Sequence, residues 1–210
     1  MKAPRPVSSQ PAHGGAGFVR IISGQWRGRR LPVLDAAGLR PTTDRVKETL
    51  FNWLMHDTAG ATVLDCFSGS GSLALEALSR HAAFATLLEL DKAAVRQLQQ
   101  HLLTLKCQNA EVIGGDCLQY LQQAPKRHYD LVLLDPPFRQ NLALPCAALL
   151  EQGGWLTATA LIYLECEKEL TVAALPANWR LLKESIAGQL AYRLYQRTTP
   201  LASSIYTLLP

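Results

Sequence analysis

Tyr129-Asp130-Leu131-Val132-Leu133-Leu134-Asp135-Pro136-Pro137-Phe138 is an apolar run that ends on a carboxylate, two prolines and an aromatic ring. The run from Leu131 to Leu134 is short and continuous, which suits a strand buried on both faces of a parallel sheet. Asp135 then falls at the strand's carboxyl end, where open α/β sheets hold their ligands. Neither Pro136 nor Pro137 can extend a ladder, because each lacks an N–H and has a fixed φ. Their exit leaves carbonyl oxygens free to accept from something else. A carboxylate, such carbonyls and the flat face of Phe138 suit a planar, amino-bearing group. A rigid turn with a helix cap after a core strand is the plainer reading of the same residues.

Outward from this stretch the rhythm is regular. Strands are expected at 62–67, 84–89, 110–114, 129–135 and 160–166, and helices at 71–80, 92–105, 117–122 and 142–150. A connection that can hold a helix follows, then an antiparallel pair, 179–185 and 190–197, around Gly188. Alternating β and α with apolar strands predicts an α/β fold with a doubly wound, mostly parallel seven-stranded sheet. Ahead of this body, 61–197, lies an extension over 18–60. It holds two short strands, 19–24 and 29–33, around a basic loop with a glycine, and a helix, 45–54, capped by Thr43 or Asp44. Val46, Leu50, Phe51, Trp53 and Leu54 form that helix's apolar stripe, while Arg45, Glu48 and Asn52 share another face. Residues 1–17, rich in Pro, Gly, Ala and Ser, read as a disordered tail, and 198–210 carry no readable signal.

Composition narrows the class. With 48% hydrophobic and 18% charged residues, the 210-residue chain reads as globular. No apolar run reaches membrane-spanning length, and the N-terminus lacks the apolar stretch of a secretory signal. The five cysteines are scattered without a C-x-x-C, so neither a metal site nor a disulfide framework is expected, and a cytoplasmic location is. The net charge of +4 is unevenly spread. Residues 1–47 hold nine Lys/Arg against Asp35 and Asp44, a net +7, and the remainder carries −3. A basic end on a mildly acidic body suits a polyanionic partner gripped mainly by that end. Trp26 among Arg20, Arg27, Arg29 and Arg30 can stack on a base while the guanidinium groups take phosphates. It can equally cap a small hairpin core.

Val63-Leu64-Asp65-Cys66-Phe67-Ser68-Gly69-Ser70-Gly71 is a strand, a carboxylate and a glycine turn opening a helix. The turn is like the dinucleotide fingerprint, but position 74 is Ala where that fingerprint needs a third glycine. Asp65 at the strand end would repel a pyrophosphate and welcome an ammonium or sulfonium, which points to S-adenosyl-L-methionine. Glu89, ending the next strand, is placed to take ribose hydroxyls, with Asp91 as its near rival. Asp116, after the third strand, can accept from an adenine amino group.

Asp65-x-Phe67-x-Gly69-x-Gly71 with Asp135-Pro136-Pro137-Phe138 resembles the class I S-adenosylmethionine-dependent amino-methyltransferases. The segments Arg20–Gly24, Arg27–Arg29, Arg40–Thr42, Asp44–Glu48, Phe51-Asn52 and Ala191–Tyr195 extend the likeness to the bacterial 16S rRNA guanine-N2 methyltransferases. The resemblance spans about residues 18–197. It implies methylation of the exocyclic N2 of guanine 966 in the assembled small ribosomal subunit. Asp135 and the Pro136 carbonyl would hold the amino hydrogens, Pro137 would stiffen the exit and Phe138 would stack on the base. Arg20, Arg27, Arg29, Arg30, Arg40 and Arg45 would meet the RNA, and the chain is expected to act as a monomer. Two other readings compete. A DNA adenine methyltransferase would need a target-recognition domain, for which almost no sequence is left, and such enzymes more often have Asn at the position of Asp135. A non-catalytic RNA-binding assembly module would not need Asp65, Gly69, Gly71, Glu89 and Asp135 intact.

Overall fold

Apolar strands alternating with helices bury both their faces only in a parallel sheet covered on each side. The computed structural model, which describes residues 17–33 and 44–198, has this form. Its body runs β3 (Thr62–Asp65), α2 (Ser72–Ser79), β4 (Phe84–Glu89), α3 (Lys92–Thr104), β5 (Ala110–Gly114), α4 (Cys117–Leu121), β6 (Tyr129–Leu134), α5 (Ala143–Gln152), β7 (Leu156–Glu167), β8 (Trp179–Ala187) and β9 (Leu190–Arg197). The strand order is β5-β4-β3-β6-β7-β9-β8, with β9 antiparallel to both of its neighbours. The chain builds outward from β3 to β5, then returns to lay β6 on the other side of β3. That reversal opens a crevice at the carboxyl ends of β3 and β6.

Each face of the sheet carries its own core. Val63, Leu131, Leu133, Leu161 and Tyr163 pack with α2, whereas Leu64, Val132, Leu134, Ile162 and Leu164 pack with α4 and α5. The expected elements are present, with shifted ends. β7 starts at Leu156, earlier than expected, because Leu156 pairs with Tyr129 ahead of an irregularity in the β6–β7 register. The connection after it holds only a 3-10 turn, Val172–Ala174. Among the described residues no helix is long and apolar enough to cross a membrane.

The N-terminal extension forms β1 (Gly17–Arg20) and β2 (Arg30–Val33), paired antiparallel, and α1 (Asp44–Trp53). Gly17, expected in the tail, is already paired with Val33. Arg40, like the rest of 34–43 and the segments 1–16 and 199–210, lies outside the described residues. The extension has no separate core. Val19, Ile21, Leu31, Leu50, Phe51 and Leu54 join the cluster that contains α2, so all eight residues of α2 are buried. Trp26 packs on that cluster, so it caps the body's core and not a hairpin core of its own.

Polar contacts lock the same junction. The fully buried Glu76 carboxylate of α2 accepts from the backbone N–H of Ile22 at 2.7 Å and of Ser23 at 3.0 Å, and from Arg80 Nε at 2.8 Å. Gln25 N donates to the Ser79 carbonyl at 2.8 Å, and Trp26 N to Ser79 Oγ at 3.0 Å. Gly24 makes this approach possible. Its φ is 81°, and a Cβ there would stand 1.8 Å from the Ser79 carbonyl oxygen. Lys47 corrects the charge reading. It is 1% exposed, donates to the Arg20 carbonyl and lies 3.9 Å from the Asp44 carboxylate. Burial lowers its pKa, against the pull of Glu76 and Asp44. It is a tie within the extension and not a cation offered to a partner.

Glu76→Ala strands two backbone donors and Arg80, so it should cost about 3 kcal/mol in denaturant unfolding. Trypsin should then cut at Arg27–Arg30 well before it cuts the body. Simultaneous cleavage of hairpin and body would contradict the latch.

Candidate active site

Parallel register sets Asp65 of β3 beside Leu133 of β6, and Leu134 beside Leu164 of β7. Side chains alternate along a strand, so Asp65 and Asp135 follow Val63, Leu131 and Leu133 onto the α2 side of the sheet. The topology thus brings together, at one crevice, two acids 70 positions apart in sequence.

Asp65 is 2% exposed. Burial pushes its carboxyl up to about 7, and the charge of Glu89 adds to this. The backbone of Phe67 and Ala74 and the Ser68 hydroxyl pull the other way without cancelling it. Asp135 is partly buried, and its carboxyl lies well above the usual range. Burial is the main cause, and the two charges acting on it, Glu165 and Asp65, are both negative. A cation placed between these acids would remove the repulsion; a pyrophosphate would compound it.

The turn between Asp65 and α2 is built for close approach. Gly69 and Gly71 have φ of 51° and 79°, and a Cβ on Gly71 would stand 2.6 Å from Leu98 Cδ2. Phe67, partly buried, packs on the opposite core. Glu89 braces the turn, one oxygen accepting from Gly69 N at 2.7 Å and the other from Asp91 N at 2.8 Å. Each oxygen keeps a further lone pair for a ligand hydroxyl. Asp91 instead caps α3, accepting from the N–H groups of Ala93 and Ala94. Asp116 likewise caps α4 through one oxygen, accepting from Gln119 N at 2.9 Å. These residues fit a nucleoside cofactor with a cationic end. Asp65 suits the cation, Glu89 a ribose and the second Asp116 oxygen an amino group.

On the acceptor side, the Pro137 carbonyl takes Gln140 N at 3.3 Å, and no donor among the described residues reaches the Pro136 carbonyl. Phe138 is 45% exposed, with the Arg139 guanidinium 5.0 Å from its ring. A large ring left open beside an unpaired carbonyl and a carboxylate is the arrangement that a flat base would complete. Glu165 does not stand out in the sequence alone. It lies two residues before the end of β7, level with Asp135, which directly follows β6. An acid at the close of an apolar run, as with Asp65 and Glu89, is the signal by which it could be found.

The basic residues stand apart from the crevice. Arg20, Arg27, Arg29, Arg30 and Arg45 are exposed. Arg20 lies 3.8 Å from Asp44, Arg30 sits 4.7 Å over the Phe18 ring, and Arg29 reaches the Thr104 carbonyl at 3.4 Å. Arg45, Glu48 and Asn52 are all exposed.

The raised Asp65 carboxyl has a definite sign for stability. Its folded pKa, about 7, exceeds the ordinary 3.8, so the charged form opposes folding above pH 7 and the penalty fades as pH falls. Asp65→Asn should therefore stabilise the cofactor-free protein at pH 8, by on the order of 3 kcal/mol, and little at pH 4. Thermal unfolding across that range checks it; a uniform gain at both pH values would contradict the assignment.

Residues 19–196 match the family described as conserved hypothetical protein 95. Ribosomal RNA small subunit methyltransferase D of Escherichia coli K12 is 55% identical over 188 residues, 90% of this chain and 94% of the relative. The Haemophilus influenzae protein of the same name is 55% identical over 183 residues, 86% of this chain and 94% of the relative. Among solved structures, the putative methyltransferase yhhF from Escherichia coli superposes with a TM-score of 0.80 at 55% identity, covering 87% of this chain and 99% of that one. A putative methylase from Haemophilus influenzae gives 0.77 at 50% identity, covering 87% and 100%. The chain belongs to this family, that of ribosomal RNA small subunit methyltransferase D.

Proposed function

We propose that the protein transfers a methyl group from S-adenosyl-L-methionine to the exocyclic N2 of guanine 966 in 16S rRNA. Methylation of rRNA with this donor is the activity of the family. The guanine, its N2, the assembled small ribosomal subunit as substrate, a monomeric enzyme and a cytoplasmic site of action are our reading. The observation that carries it is the pair of carboxylates, Asp65 and Asp135, on neighbouring strand ends at the sheet's switch point.

The donor supplies an electrophilic methyl on a sulfonium. Asp65 holds its cationic end, Gly69 and Gly71 let the backbone close on it, with Phe67 in the same turn, and Glu89 and Asp116 take the nucleoside. An exocyclic amino group is a poor nucleophile because its lone pair is delocalised into the ring. Asp135 and the Pro136 carbonyl accept its two hydrogens and favour a pyramidal nitrogen, whose lone pair then points at the methyl. Pro137 keeps the exit stiff and Phe138 fixes the base plane. The new N–C bond forms as the S–C bond breaks, and the amino group loses one proton beside Asp135. Positioning and electrostatics supply the rate. The target base must leave any stack to reach this depth. The exposed arginines Arg20, Arg27, Arg29 and Arg30, with Arg40 and Arg45, hold the RNA backbone.

Asp135→Ala should lower methyl transfer by about a hundredfold or more while calorimetry shows cofactor binding retained; full activity would remove Asp135 from the reaction. Reversing Arg27 and Arg29 to Glu should weaken RNA binding and reduce its salt slope by about two, with cofactor affinity unchanged. Mapping methylated guanines in small-subunit rRNA from cells lacking the chain tests the target itself.

A further inference from the structure

The carboxyl end of β7 adds a third acid to the crevice. Leu134 pairs with Leu164, so Glu165 follows on β7 where Asp135 follows on β6. Alternation from Leu161 and Tyr163 puts Glu165 on the α2 side, the side of Asp65 and Asp135. The Tyr163 hydroxyl donates to Glu165 Oε2 at 3.2 Å, and Tyr192 of β9 stands opposite Glu165 in the register. Tyr163 and Tyr192 belong to the buried core, so Glu165 rests on a rigid base with its carboxylate at the rim. In sheet order Asp65, Asp135 and Glu165 form a row from the cofactor side outward, on β3, β6 and β7.

We propose that Glu165 is a specificity-determining residue: it accepts the ring N1–H of the target guanine while Asp135 and Pro136 hold the neighbouring amino group. This rests on the guanine-N2 reading above. Neighbouring strands lie about 4.8 Å apart, so acids on adjacent strand ends can both reach one edge of one base. Guanine is the one standard base whose amino group has a ring N–H beside it. Adenine and cytosine present a ring lone pair there instead. A carboxylate facing that position accepts from guanine and repels the other two, so recognition and rejection come from one group. The same charge raises the Asp135 carboxyl before substrate arrives. The two donors of guanine relieve that mutual repulsion, which a base with one donor and one acceptor cannot do.

2-Aminopurine is the discriminating probe, because it keeps the 2-amino group but carries a lone pair at N1. Methyl transfer is measured on small subunits reconstituted with either purine at the target position. The unaltered enzyme should favour guanine by at least about a hundredfold in kcat/KM, as a site built to accept an N–H rejects an analogue without it. Glu165→Gln, whose amide can donate to a ring lone pair, should cut that preference by about tenfold or more with cofactor affinity unchanged. Glu165→Asp, which keeps the carboxylate, should retain most of the preference. A merely structural Glu165 would lower transfer to both purines in parallel. Guanine methylated with a ratio that Glu165→Gln does not move overturns this inference and leaves the guanine reading standing. Equal transfer to both purines by the unaltered enzyme overturns it whatever the variants do. An unaltered enzyme that methylates neither purine at N2 removes the guanine reading, and this inference with it.

Discussion

Everything in this fold is hung on a helix of eight residues with no exposed face. The sheet covers one side of α2, and the hairpin with α1 covers the other. Its N-terminus is the glycine turn that follows Asp65, and its C-terminal end carries the bonds from Gln25 and Trp26. A side chain as polar as Glu76 survives at zero exposure because two backbone N–H groups and Arg80 satisfy it there. The distance between the basic hairpin and the cofactor turn is therefore set by the length of one rigid element, ~12 Å for eight residues.

The crevice is organised around an electrostatic deficit. Three acids converge at the ends of β3, β6 and β7, and burial raises the carboxyls of Asp65 and Asp135. Burial and mutual repulsion make these carboxylates oppose folding when charged, so the site does not serve the body's stability. Local rules broken without a compensating structural gain mark functional positions. The Pro136 carbonyl and the Phe138 ring belong to the same pattern: an acceptor with no donor among the described residues, and a large ring 45% exposed, beside the acids.

Legibility in the sequence followed the reach of each interaction. Strands β3, β4 and β6 were readable within two residues because burial on both faces leaves a continuous apolar signal, as in Leu131–Leu134. The placement of Asp65, Glu89 and Asp135 at strand ends was readable because each closes an apolar run. Asp91 was harder: capping and ligand binding ask for the same residue type, and only the hydrogen bonds to Ala93 and Ala94 separate them. Lys47 and Glu76 were invisible. Each looks like an ordinary helical charge, and each is buried by a segment 27 or 53–54 residues away. The start of β7 was misjudged for a related reason, since its first residues are held by pairing with Tyr129 and not by their own composition.

Gly24 shows how deeply the hairpin is embedded. Its backbone lies so close to the Ser79 carbonyl that no side chain fits between them. An arm attached this way is not a cassette. It cannot be cut out, traded between enzymes or lengthened at its root without remaking the helix beneath it. Diversification of the hairpin in proteins built to this plan is then confined to its outward arginine-bearing rim. The root has to change in step with α2 or stay as it is.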